Sequence, residues 1–260
     1  MQTISFYSEI LIYCLIGMLV LLLIIWRKTR SKNLINGQQG VWVDYGEFME
    51  RQFFEEVDDH LIVTREHHWK DVKQIKSIEK YIADLDGTNM VRNGKTQVYY
   101  KNGQLEYEVN YENGVVVDKM VTFYHDNGAI KRKISHEYNL PHGEVIDFYK
   151  NGNVYKTQFM EYGDLNGEWK SYYEDGKVLG VGNQKKGLWD GLIVEYHPNG
   201  NKKLESNFIL NVATYEKKYH PNGILKYHVE FIDGIAINDV SIYDEKGVFL
   251  ERVPFETIIN

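Results

Sequence analysis

The sequence is poor in proline and in cysteine. Four prolines and one cysteine occur in 260 residues, against 20 tyrosines and 22 glycines. Aromatic residues are common in strands, and glycine is common in tight turns, so this composition favours β-structure over helix. The single thiol, Cys14, has no partner for an intramolecular disulfide, and the rest of the chain has no thiol nucleophile.

The residue patterns of familiar active sites are also missing. NGKT (93–96) lacks the earlier glycine of a phosphate-binding loop, because Asn89 stands at that position. SHEYNLPH (135–142) has Leu140 where a zinc-protease helix needs its second histidine. The acid- and histidine-rich stretch 58–68 matches no metal-ligand spacing, and none of the eight serines lies in a nucleophile elbow. The sequence therefore predicts no enzyme, cofactor, metal or small-molecule substrate.

Positive charge is scarce outside the N-terminal segment. Residues 1–32 hold four of the 30 basic residues and one of the 37 acidic residues, which gives them a net charge of +3 and leaves −10 for the rest. An acidic body of this kind is repelled by nucleic acid and by anionic lipid headgroups. We therefore expect no nucleic-acid partner.

The one long apolar run lies near the N-terminus. ILIYCLIGMLVLLLIIW (10–26) has 17 residues without a charge, which is enough for a short transmembrane helix. A secretory signal is disfavoured, because no basic residue precedes the run and no small-residue cleavage site follows it. RKTRSK (27–32) follows directly, and basic residues gather on the cytoplasmic side. The sequence predicts a single-pass protein of the cell membrane, with a short tail (1–9), a basic linker (27–39) and a cytoplasmic body.

A five-residue pattern ending in glycine recurs through the rest of the chain. An aromatic residue begins every pentad, as in YHPNG at both 196–200 and 219–223. The pentads end at Gly103, Gly128, Gly152, Gly176, Gly200, Gly223 and Gly247, spaced by 25, 24, 24, 24, 23 and 24 residues. A fixed period of this length is typical of a repeat architecture.

Each period contains the parts of a β-hairpin. Asn-Gly or Asp-Gly closes six of the seven pentads, which suits a type I′ turn, and a second break follows, as in GDLNG (163–167) and GLWDG (187–191). We predict an all-β fold, an elongated single-layer antiparallel β-meander of about seven 24-residue hairpin repeats. The array covers residues 88–253 and is followed by a tail at 254–260.

These motifs resemble the MORN-variant repeat. The YxxNG turn, the GxxxG glycine pair and the period near 24 all match its pattern. The resemblance implies an extended antiparallel sheet that associates with proteins or membranes, and it supplies no catalytic residue. The sequence is similar in particular to bacterial proteins of this type described as antitoxins or immunity partners, which implies a protein partner such as a toxin.

The segment 40–87 does not follow the period, and we expect it to form a small mixed cap. GVWVDYGE (40–47) resembles a degenerate repeat. In EFMERQFFEEV (47–57), Met49, Phe53 and Val57 are spaced by four, which predicts a helix. The stretch 67–82 fits a helix moderately and also fits a strand.

Three aromatic residues of the central repeats are candidate partner contacts. Trp169 and Tyr173 lie in a predicted strand, whereas Trp189 lies in the GLWDG break. A large aromatic residue in a loop favours partner binding, and the alternative is that its indole folds back over the neighbouring strand. We expect a membrane-anchored protein that binds another protein, with an antitoxin role as the narrower form. A structural scaffold at the membrane is the alternative.

Overall fold

The computed structural model describes residues 42–237 and 239–258, and in this part of the chain the protein is all-β. The predicted transmembrane helix at 10–26, the tail at 1–9 and the linker at 27–39 lie outside the described residues. Among the described residues, no helix is both long and apolar enough to cross a membrane. The one helical element there is a 3₁₀ turn at Phe255–Thr257.

The chain divides into two compact units. Unit 1 comprises the described residues up to Gly103 together with Val109–Val115, and unit 2 comprises Gln104–Glu108 and the described residues from Val116 onward. The early strands are β1 (Val43–Asp44), β2 (Phe48–Val57), β3 (His60–Trp69), β4 (Ile75–Asp84), β5 (Val91–Arg92), β6 (Gly94–Tyr99), β7 (Leu105–Glu112) and β8 (Val115–Val116).

The later strands belong to unit 2. They are β9 (Met120–Tyr124), β10 (Ile130–Glu137), β11 (Leu140–Phe148), β12 (Val154–Glu161), β13 (Asp164–Tyr172), β14 (Val178–Lys185), β15 (Leu188–Trp189), β16 (Gly191–Tyr196), β17 (Lys202–Ile209), β18 (Val212–Tyr219), β19 (Leu225–Ile232), β20 (Ile235–Ala236), β21 (Val240–Tyr243) and β22 (Phe249–Val253). Every described pairing is antiparallel, and within each unit the strands form an open sheet. The predicted antiparallel meander of hairpin repeats is confirmed.

Unit 1 corrects the prediction of a mixed cap. The residues predicted as a helix at 47–57 form strand β2, which pairs with β3 from Phe48–Trp69 to Val57–His60. A spacing of four residues fits the period of a strand as well as that of a helix, so Met49, Phe53 and Val57 share one face of β2. The stretch 67–82 contains the end of β3 and most of β4, with a turn at 70–74 between them, and no helix.

The core of unit 1 lies on one face of these three long strands. Leu61, Val63 and Ala83 are buried there, and Phe54 and Tyr81 pack against them. Cross-strand pairing brings the side chains together, because Val63 is opposite both Phe54 and Tyr81. Burial of these apolar side chains stabilises the long hairpins.

The pentad turns differ from the predicted type. All seven pentad glycines have positive φ, between +81° and +90°, but the residue before each of them does not. In the pentad that ends at Gly128, the glycine N–H donates to the His125 carbonyl at 2.9 Å, and the His125 N–H donates to the Ala129 carbonyl at 2.7 Å. This is a type I turn followed by a glycine bulge, the usual geometry of a three-residue hairpin loop. The predicted type I′ turn at the pentads is wrong.

Type I′ turns occur instead at the opposite ends of the hairpins. Tyr162 and Gly163 have φ of 48° and 97°, and Leu210 and Asn211 have φ of 48° and 69°. In Leu210–Asn211 no glycine is present, so the sequence signal for this turn was weaker than that of the pentads. Unit 2 therefore has two kinds of sheet edge, here called the pentad edge and the I′ edge.

Hydrogen bonds join neighbouring repeats along both edges. On the pentad edge the Tyr173 hydroxyl donates to the Tyr196 carbonyl at 2.7 Å, and His220 Nε2 contacts the Tyr243 carbonyl at 2.8 Å. On the I′ edge the Gly187 N–H donates to the Leu165 carbonyl at 2.7 Å. Each of these bonds joins two residues that are about one period apart in the sequence, so the bonds fix neighbouring repeats in register with one another.

Register also assigns the side chains of unit 2 to two faces. Directly paired residues share a face, as do residues two apart in one strand. One face, here called the core face, carries the buried apolar residues Val121, Val145, Ile193, Val229 and Val240. The other, here called the groove face, carries the row Thr157, Lys170, Val181, Val194 and Glu205.

Candidate functional site

The two tryptophans of the repeat array lie together on the core face. Trp189 is in the short strand β15, opposite Gln184, and not in an open loop. Its ring meets that of Trp169 edge to face, with centroids 5.3 Å apart. Gly182 leaves room for this pair, because a Cβ there would lie 3.3 Å from the Trp189 ring. Both tryptophans are half-buried, so each has a packing role.

Tyr173 has a structural contact of its own. Its hydroxyl makes the bond to the Tyr196 carbonyl described above, and its side chain is half-buried. Of the three aromatic residues predicted as partner contacts, Trp169 and Trp189 are therefore brought together by the fold, and Tyr173 lies on the pentad edge. Partner binding by any of them stays a prediction.

The histidines of the stretch 58–68 contribute to a polar network in unit 1. His67 Nε2 lies 2.9 Å from a Glu50 carboxylate oxygen, and its Nδ1 lies 2.7 Å from the Ser77 hydroxyl. Ser77 is only 5% exposed, so a substrate has little access to its hydroxyl. Among the described residues, no group of histidine, cysteine and carboxylate side chains is arranged to hold a metal ion.

Glu79 completes this network. Burial tends to raise the pKa of its carboxyl, but hydrogen bonding from Tyr81 and the charges of Arg92 and His67 outweigh that effect, so the pKa lies below its usual value. Arg92 Nη2 is 3.1 Å from the Glu79 carboxylate. A half-buried carboxylate supported in this way stays ionised and stabilises the hairpins, so we assign the network a structural role.

A groove of about 620 Å³ opens near the I′ edge of unit 2. Glu144 and Phe159 are cross-strand partners, and Glu168 is opposite Asn183. Register places all four on the groove face, and Glu161 also lines the groove. Phe159 is 43% exposed, so the groove combines an accessible aromatic ring with carboxylates.

A row of exposed aliphatic side chains continues along the same face. Ile209 pairs with Val212, and Ile232 pairs with Ile235, on either side of two neighbouring I′ turns. These four side chains are between 43% and 72% exposed. They are called the aliphatic row below. Leu192, itself exposed, lies on this face between the groove and the row.

Sequence reasoning missed the groove and the aliphatic row. A signal existed, because aliphatic residues flank the break in both FILNVA (208–213) and FIDGIA (231–236). This signal alone does not reveal the row, because exposure at these positions depends on the strand register, which a period does not provide.

The family comparison agrees with the repeat geometry. The family described as MORN repeat variant matches five times, at residues 92–113, 141–161, 165–186, 189–209 and 215–233, and the span from the first match to the last is more than half of the chain. The chain is a MORN-variant repeat protein. Repeats of this family suggest a protein that interacts with other proteins or with membranes.

Two solved structures share low sequence identity with this MORN-variant chain. No curated protein matches the chain. A solved Photorhabdus luminescens Tc holotoxin pore is 12% identical over 76% of this chain and 14% of its own chain, with a TM-score of 0.22. A crystal structure of TcdB2-TccC3-Cdc42 is 10% identical over 81% of this chain and 12% of its own, with a TM-score of 0.20. The MORN-variant chain thus spans about a seventh or less of those chains.

The edge-to-face contact predicts how the two tryptophans respond to substitution. We expect Trp169→Ala and Trp189→Ala each to lower the free energy of unfolding by about 2–3 kcal/mol, because each removes a partly buried aromatic ring. The double variant should lose about 1 kcal/mol less than the sum, because one aromatic pair is shared between them. Chemical denaturation measures all three variants.

Leu188→Ala, at the exposed neighbour of Trp189, is the control and should change stability by less than about 0.5 kcal/mol. A Trp189→Ala variant as stable as the wild type would show that its indole does not pack against the sheet.

Proposed function

We propose that this protein is a membrane-anchored repeat protein that binds a partner protein along the groove face of unit 2. The observation that supports this is the aliphatic row, formed by Ile209, Val212, Ile232 and Ile235 on one face of two neighbouring turns. Contiguous exposed aliphatic surface is costly in water and is typical of interaction sites. The tips of the pentad turns consist mainly of Lys, Asp, Glu, Asn and Pro, and the exposed Val248, Phe249 and Leu250 lie beside the last of these turns only.

An anionic membrane is a poorer occupant of this surface than a protein. The two turns of the aliphatic row are accompanied by Asp190, Glu230 and Asp233, and the described residues around them supply no compensating lysine or arginine at those turns. Negative charge beside an apolar surface repels anionic lipid headgroups. In this proposal the membrane is therefore contacted by the N-terminal apolar run 10–26, and the partner is contacted by the repeats.

An antitoxin or immunity role is the narrower form of this proposal, and the family resemblance is what favours it. The alternative is a scaffold that holds a complex at the membrane without inhibiting it. The two differ in the effect of deleting this protein. Loss of an immunity protein makes its toxin harmful to the cell, whereas loss of a scaffold disperses the complex.

Site-specific photo-crosslinking in cells tests partner binding. A photo-reactive amino acid at Ile235 should form a discrete adduct with one protein, because that side chain is 72% exposed in the aliphatic row. The same amino acid at Lys246, exposed on the pentad edge, should form little of this adduct. Ile209→Ser combined with Ile232→Ser should reduce the Ile235 adduct at least tenfold.

Adducts of equal yield at Ile235 and Lys246, or adducts with lipid alone, would contradict partner binding through this row.

The topology is tested separately. With the run 10–26 as anchor and RKTRSK (27–32) on the cytoplasmic side, the full chain should resist alkaline carbonate extraction from membranes. A C-terminal reporter that functions only in the cytoplasm should be active, and a reporter that functions only outside the cytoplasm should be silent. The reverse pattern would place the repeats, and so the partner, on the other side of the membrane.

A further inference from the structure

The groove beside the aliphatic row bears on the chemistry of the partner. We propose that the groove binds lysine or arginine side chains of the partner, so that the bound segment is a basic, amphipathic polypeptide. This inference rests on the proposed function, and it specifies which class of polypeptide occupies the groove face. The geometry, charge and aromatic content of the groove support it in turn.

Register places the groove and the aliphatic row on one continuous surface. Glu168 lies in β13 and Ile209 in β17, and the strands β14 and β16 lie between them. Three steps of the usual strand separation place β13 and β17 about 14 Å apart across the sheet. An extended polypeptide covers that distance with about five residues. One short segment of a partner therefore reaches both sites, and Leu192 provides apolar contact between them.

The charge of the groove is negative. Glu144, Glu161 and Glu168 line it, and Lys185 is the one basic residue among its lining side chains. Lys170 forms an ion pair with Glu168 at 2.8 Å. Glu144 and Glu161 have no basic partner among the described ion pairs. These carboxylates are solvent-exposed and lie close together along one groove, so their combined negative charge attracts a cationic side chain.

Phe159 adds a second reason for a cation. Its ring is exposed within the groove, between Glu144 on the neighbouring strand and Thr157 on its own. A guanidinium or ammonium group gains from contact with an aromatic face, and it gains more when carboxylates stand nearby. The volume of about 620 Å³ is ample for more than one long basic side chain.

Neutralising the groove in the full-length protein tests the inference. The variant Glu144→Gln/Glu161→Gln/Glu168→Gln keeps the size of each side chain and removes its charge. Both this variant and the parent chain carry the photo-reactive amino acid at Ile235. We expect the variant to form at least fivefold less of the partner adduct than the parent chain. We also expect mass spectrometry of the adduct to find a partner segment rich in lysine or arginine.

The matched control removes three carboxylates from the pentad edge. Glu174→Gln/Asp175→Asn/Glu245→Gln changes the net charge by the same amount far from the groove, and it should leave the adduct yield within twofold of the parent. Equal losses in both triple variants would show that net charge, and not the groove, attracts the partner, and would overturn the inference.

The outcomes also separate this inference from the proposed function. If the aliphatic-row substitutions abolish the adduct while the groove variant forms it fully, the protein binds a partner and the groove does not select basic residues. A crosslinked segment that is acidic or uncharged would likewise overturn the inference. Absence of any adduct in the parent chain would contradict both.

Discussion

The hydrogen bonds between successive turns are the constraint on which the rest of unit 2 depends. A thin sheet has little core, so each repeat relies on its neighbours for support. The Gly163 N–H donates to the Pro141 carbonyl, the Gly187 N–H to the Leu165 carbonyl and the Asn211 N–H to the Trp189 carbonyl, all at 2.7–2.8 Å. With these bonds on one edge and the tyrosine and histidine bonds on the other, no repeat is free to slip past the next.

Fixed register is also what separates structural from interacting side chains. A slip of one residue would exchange the two faces, and Val145 and Val229 would leave the buried core face. In the observed register, Trp169 and Trp189 contact each other on the core face, and Phe159 and the aliphatic row are presented on the groove face. The proposed binding surface is thus a consequence of the repeat period and not a separate addition to the fold.

The sequence predicts the repeats well because the pentad glycines mark every period. It predicts their turn type poorly, because Asn-Gly suits both a type I′ turn and a type I turn with a glycine bulge, and the loop length decides between them. The spacing of Met49, Phe53 and Val57 fits helix and strand alike, and pairing with β3 resolves it. The groove joins Glu144 and Glu168, 24 residues apart, and only the strand pairing shows that they are neighbours.

Hydrogen–deuterium exchange at the I′ turns is the most direct test of the inter-repeat bonds. Residues at such exposed turn tips ordinarily exchange fast, whereas an amide that donates to a neighbouring turn is protected. We expect the Gly163, Gly187 and Asn211 amides to exchange at least tenfold more slowly than the Lys186 amide, for which no such bond is described. Exchange of all four amides at one fast rate would show that the repeats are not joined along this edge, and would contradict the account.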